Sequence, residues 1–196
     1  MKYLRSVSIV PWCLGFMFIA LCITGCSRKK EVIPVSNVSV KTPFQEIDST
    51  TMYSYNGSPK TWILESDHIV KVLADTGHIR GNPVKITVFD SLGKQTSKVI
   101  SDTGLADASM QEFTVWGNVF VKAENGVRVK AQKLTWNQKT HRVASDSYVQ
   151  LTTRKGDVLR GKGLDAAEDF SSWRFLHDVS GRFPNFRERV DKGGEF

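Results

Sequence analysis

Between residues 95 and 183 the chain repeats itself about every thirty residues, and the repeating unit is a pair of β-strands. Phe113, Val115, Gly117, Val119 and Val121 share one parity. Val143, Ser145, Ser147, Val149 and Leu151 repeat it, as do Trp173, Phe175, His177, Val179 and Gly181. Ahead of each run stands a second element with two apolar residues five positions apart: Ile100 and Leu105, Val129 and Leu134, Leu159 and Leu164. Leu64 and Ile69 form a fainter earlier copy. A strand pair of this kind cannot bury its apolar face alone, so the copies must stack and share one dry surface.

Within a unit the local chemistry is readable. Val127, Val129 and Ala131 alternate with Arg128, Lys130 and Gln132, the period of a strand with one buried face. Leu134 and Trp136 fall on the opposite parity, and a one-residue bulge near Gln132-Lys133 restores them to the same face. Asn137 to Thr140 is turn-like, and His141 to Thr153 supplies the return strand. Asn125-Gly126 and Lys155-Gly156 mark tight turns that need positive φ. No amphipathic helix of useful length occurs between Lys41 and Phe183. These patterns predict an all-β domain.

The N-terminus reads as a targeting segment. Lys2 and Arg5 precede an uncharged run from Ser6 to Gly25. Ile23-Thr24-Gly25-Cys26 then resembles a bacterial lipobox, which implies cleavage before Cys26 and lipid attachment at that cysteine. The rival reading is a retained transmembrane helix, since an uncharged run of this length spans a bilayer. Pro11 inside the run and Arg28-Lys29-Lys30 on the far side weigh against it. Either way the body of the chain is exported and tethered to a membrane.

All three cysteines, Cys13, Cys22 and Cys26, lie in this leader, so the mature domain has no internal disulfide and must rely on core burial. The net charge of +7 falls by two once Lys2 and Arg5 are removed. The remaining surplus fits an anionic lipid or acidic partner, and equally fits ordinary solubility. The expected organisation is a signal peptide or anchor over residues 1–25, a flexible linker over 26–51, the β domain over 52–183 and a polar tail over 184–196.

No catalytic constellation is present. His68, His78, His141 and His177 are scattered and none has a second ligand at metal-binding spacing. Gly161-Lys162-Gly163 is followed by no helix and reads as a bulged strand, not as a phosphate loop. Asp165, Glu168 and Asp169 are expected in one solvated turn with ordinary pKa values. The expectation is a protein that is not an enzyme and uses no cofactor. The inward face mixes bulky residues with small ones, which suits either a closed core or an apolar groove.

The succession Gly117-Asn118-Val119-Phe120-Val121-Lys122, then Gly126 to Trp136, then Arg160-Gly161-Lys162-Gly163-Leu164-Asp165 resembles the repeat of the OstA-like (LptA/LptC) family of lipopolysaccharide-transport proteins. The layout of one N-terminal anchor, a short linker and one repeat domain is similar to its LptC branch.

That resemblance implies a twisted, V-shaped β-jellyroll of two antiparallel sheets, open along one side. It implies lipopolysaccharide as ligand, an inner-membrane ABC transporter of the LptB, LptF and LptG type as donor, and an LptA-like periplasmic bridge protein as acceptor, joined by edge-strand addition. Ile100, Phe113, Val115, Val119, Val129, Leu134, Val149 and Leu159 are the candidate groove lining. The implied place is the periplasmic face of the inner membrane. Ser27 after the cysteine keeps the outer membrane open as a second destination. The alternative function is a structural or assembly lipoprotein of the envelope with a closed β core.

Overall fold

The computed structural model describes residues 42–74 and 77–184. Ten strands follow one another: β1 (Phe44–Tyr55), β2 (Lys60–Val72), β3 (His78–Phe89), β4 (Gln95–Ser101), β5 (Thr103–Asp107), β6 (Glu112–Ala123), β7 (Arg128–Asn137), β8 (Arg142–Thr152), β9 (Val158–Ala167) and β10 (Trp173–Arg182). All pairings are antiparallel and belong to one sheet, in the order β1-β2-β3-β4-β6-β7-β8-β9-β10, with β5 between β3 and β6. The Asn-Gly and Lys-Gly turns take the expected form, with Gly126 at φ 92° and Gly156 at φ 88°.

A line of backbone irregularities crosses this sheet and folds it in two. In β2, Ser66 and Ile69 are buried with Asp67 and His68 between them; in β3 the same spacing separates Gly81 from Val84 around Asn82-Pro83. Between β4 and β5 it separates Ser101 from Gly104. In β7 it separates Ala131 from Leu134, with Gln132 and Lys133 exposed, so the anticipated bulge is present. β6 breaks at Gly117 (φ 78°) and Asn118 (φ 47°), β9 at Gly163 (φ 73°), and β10 at Asp178 (φ 53°).

The pairing His68↔Asn82, Trp116↔Lys133, Tyr148↔Lys162 and Lys162↔His177 places these breaks side by side. A bulge bends its strand and raises its twist. A row of them is a crease, and Leu64 and Ile69, Val129 and Leu134, and Leu159 and Leu164, each five apart in the sequence, are inward positions on either side of it. The two facing layers of the expected jellyroll are therefore the halves of one continuous sheet.

Side-chain hydrogen bonds fix the crease. Ser66 Oγ donates to the carbonyls of His68 (3.0 Å) and Pro83 (2.7 Å), and Ser101 Oγ to that of Thr103 (3.0 Å). Asn118 Nδ2 donates to Asp102 Oδ2 at 2.8 Å, and Ser145 Oγ to the Lys133 carbonyl at 2.8 Å. Bulging leaves ladder groups unpaired; the serine hydroxyls satisfy carbonyls there, and the Asn118–Asp102 bond ties the β6 break to the β4–β5 break.

Two expectations are corrected. The sheet begins at Phe44, not at residue 52, because β1 pairs with β2 along its whole length. β1 is an edge strand with mostly exposed side chains, so it lacks the alternation that would have announced it. Asp165 sits inside β9, not in a turn with Glu168 and Asp169.

Candidate functional site

The inner faces of the two layers meet across the crease. From the layer holding the N-terminal part of β2 come Trp62 and Leu64, joined by Val84, Ile86, Val119, Val121, Val129, Val149 and Leu151. From the other come Ile69, Phe113, Val115, Leu134, Trp136, Val143 and Leu164. Trp62 stands edge-on to Phe113 across the gap, with ring centroids 5.2 Å apart, and Phe113 stacks on Trp136 at 5.2 Å. Trp136 Nε1 donates to Glu168 Oε2 at 2.9 Å, and Glu168 Oε1 lies 2.8 Å from His141 Nδ1. Phe170, buried at the turn before β10, closes the same end.

Little space remains in the middle. One cavity of about 30 Å³ is bounded by Ile86, Val99, Phe113, Leu134, Val143 and Phe170, and another of about 10 Å³ by Leu64, Ile79, Val84 and Phe113. Each is the size of one water-sized group, not of an acyl chain. The trough expected along the whole interior is thus filled at its centre, where three large aromatic rings converge. Toward β10 the packing thins. Trp173 and Phe175 are only partly buried, Leu159 packs at the margin of the core, and Val179 is 59% exposed.

Of the eight candidate lining residues, Phe113, Val115, Val119, Val129, Leu134 and Val149 are buried and inward, and Leu159 is inward and partly buried. Ile100 is not among them. It is 45% exposed on the outer face, opposite Lys85 and Phe120. Ile100 and Leu105 keep the five-residue spacing of the other copies but sit one register out, since the buried positions there are Ser101 and Gly104. Trp62 and Phe170 escaped the sequence reading. Trp62 shares the parity of Leu64 and was findable on that ground, whereas Phe170 lies in a turn with no period to betray it.

The outer faces of the two layers differ in charge. On the layer containing Phe113, several cations are matched. Arg142 and Arg174 both bind Asp165, the latter through Nε at 2.9 Å, and Arg80 lies over the Trp116 ring at 5.6 Å. The hydrogen bond from Arg142, opposed by burial and aided by the charges of Arg142 and Arg174, holds the Asp165 carboxyl below the usual carboxylate range. Asp107 is likewise lowered: burial raises it, but amide and hydroxyl donors from Glu112, Ser109 and Gln111 outweigh that effect. On the other layer the outer face is basic, with Lys98, Lys122, Arg128, Lys130 and Arg160 on neighbouring strands.

Among the described residues no group of His, Cys, Asp and Glu is arranged to hold a metal, and no helix is long and apolar enough to cross a membrane. Cys26 lies outside the described residues. A search of curated proteins finds no match. The sequence profile described as "Lipopolysaccharide-assembly, LptC-related" matches residues 17–183. With most of the chain covered, and an all-antiparallel creased sheet carrying one apolar inner face, this protein belongs to the LptC-related family of lipopolysaccharide assembly.

Proposed function

We propose that this protein takes lipopolysaccharide from an inner-membrane ABC transporter of the LptB, LptF and LptG type and passes it to an LptA-like bridge protein. The family acts in lipopolysaccharide transport at the periplasmic side of the inner membrane, which supplies the general role. The observation that carries the finer reading is the largely apolar inner face, which extends from β2 to β9 and whose packing thins toward the edge strand β10. Fatty chains in water cost about 0.8 kcal/mol per CH₂, so a carrier must offer them a dry surface at every stage. Val129, Val149 and Leu159 lead along that surface from the filled centre to the thinly packed end.

Entry into the centre requires the layers to part beyond the crease, with acyl chains replacing the contacts between Trp62 and Phe113. Phosphorylated sugars stay outside, near lysine and arginine. Handover follows from the edges. β10 pairs only with β9 among the described residues, and its outer edge is where the sheet would continue into a partner built the same way. Anchoring is assigned to a lipid on Cys26, with residues up to the start of β1 as the tether. No catalytic residue is needed, since the energy comes from ATP hydrolysis in the transporter.

The filled centre favours a second reading, an assembly lipoprotein whose β core never opens. The two are separated by photo-crosslinking in cells from Phe113 and Val149. Lipopolysaccharide captured at both positions supports the carrier. Absence of any lipid adduct at either, together with depletion that disturbs the outer membrane without accumulating lipopolysaccharide at the inner one, supports the closed core. Cys26→Ser tests the anchor separately: loss of palmitate incorporation is expected, and unchanged labelling would leave a retained helix.

A further inference from the structure

We infer that the basic outer face of the layer formed by β3, β4 and β6–β9 docks flat against an anionic phospholipid surface. Two rows of side chains cross this face. One reads Thr87, Lys98, Lys122, Arg128 and Thr152; the next reads Lys85, Ile100, Phe120, Lys130, Gln150 and Arg160. Lys122 stands directly opposite Lys98 on one side and Arg128 on the other. Like charges directly across a strand pair oppose folding.

Among the described residues, neither Lys98, Lys122, Arg128 nor Lys130 forms a salt bridge, and Arg160 is held only by the neutral Gln150 at 2.9 Å. Glu65, which extends the second row onto β2, is taken by Lys85. Charges serving solubility alone are interspersed in sign, as on the opposite layer, where Asp165 and Asp146 match their cations. Here they are largely segregated, and an external anion would relieve the repulsion.

The apolar residues decide which anion. Ile100 and Phe120 face each other amid the cations, with Ile100 45% exposed. Lysines and arginines ringing an exposed isoleucine and a half-buried phenylalanine suit a bilayer interface, where headgroup phosphates meet the cations and the apolar side chains face the acyl boundary. The inference uses the family's membrane association and is independent of whether lipid passes through the interior.

The test uses the full chain reconstituted in vesicles of phosphatidylcholine alone or mixed with phosphatidylglycerol. A photo-reactive benzoylphenylalanine replaces Phe120 in one protein and Ala144, exposed on the opposite layer, in another. The expected result is capture of phosphatidylglycerol from position 120 at least about fivefold above position 144 and above pure phosphatidylcholine. Added salt should reduce it, as should Lys122→Glu, Arg128→Glu and Lys130→Glu together, with strand content unchanged. Equal yields from both positions, or indifference to phosphatidylglycerol, would overturn the inference. So would preferential capture at position 120 of added lipopolysaccharide, or of an acidic protein in whole envelopes. Position 149 reports the transport reading on its own, so the two can fail separately.

Discussion

The amide of Asp102 donates to the carbonyl of Gly117 at 2.9 Å, and a Cβ built on Gly117 would lie 2.7 Å from the Asp102 carboxylate. This contact joins the β4–β5 break to the β6 break at the middle of the crease. Gly117 also holds φ at 78°, which side chains of L-residues resist by about 1–2 kcal/mol. Gly117→Ala is therefore expected to destabilise the domain by at least about 1–2 kcal/mol. Urea unfolding followed by circular dichroism checks it, and an unchanged midpoint would mean that the crease is soft at this point.

Lys122→Glu should act in the opposite direction. It turns two like-charge cross-strand pairs, with Lys98 and Arg128, into attractive ones. A gain of roughly 0.2–1 kcal/mol per pair is the expected range. Thermal melts at low and high salt read it, and the gain should shrink as salt rises. A variant that is more stable yet captures less anionic lipid would show stability given up for docking.

Trp62 carries a buried indole N–H with no hydrogen-bond partner among the described residues. An unsatisfied donor of this kind costs about 1–3 kcal/mol, so its removal offsets part of the packing lost on substitution. Trp62→Phe should then change stability by less than about 1 kcal/mol, against about 3–5 kcal/mol for Trp62→Ala. Equal losses for the two would show that the indole's shape, not its bulk against Phe113, fixes the layer spacing.

Asp165 links stability to acid. Its folded carboxyl is held below the ordinary value of 3.8 by Arg142 and Arg174. A depressed carboxylate adds stability that is present above the unfolded value and lost as pH falls through the folded one. Asp165→Asn should lower stability at neutral pH and flatten its decline in the acid range, which denaturation at neutral pH and at about pH 3 would measure. Asp107 retains its own share of the acid response. A mutant with an undiminished acid slope would mean that the two arginines gain nothing from this carboxylate in the folded state.

Alternation and turn residues sufficed for the strands of the repeat. Val129, Leu134, Leu159 and Leu164 are legible as inner-face residues because a bulge is a parity defect, visible in sequence as apolar residues five apart. The same spacing misled at Ile100 and Leu105, since periodicity distinguishes the two faces of a strand but not which of them is inside. β1 was missed because an edge strand with one buried neighbour needs little apolar content.

The strand-pair repeat, the bulges of β7 and β9 and most residues of the apolar face are legible in the amino-acid sequence alone. These depend on contacts a few residues apart and on backbone preferences of single residues. The alignment of the bulges into one crease, the closing of the centre by Trp62 and Phe113, and the gathering of the cations of β4, β6, β7 and β9 on one outer face arise in the folded chain. Each of these follows from register between strands distant in the chain, which side-chain alternation alone does not encode.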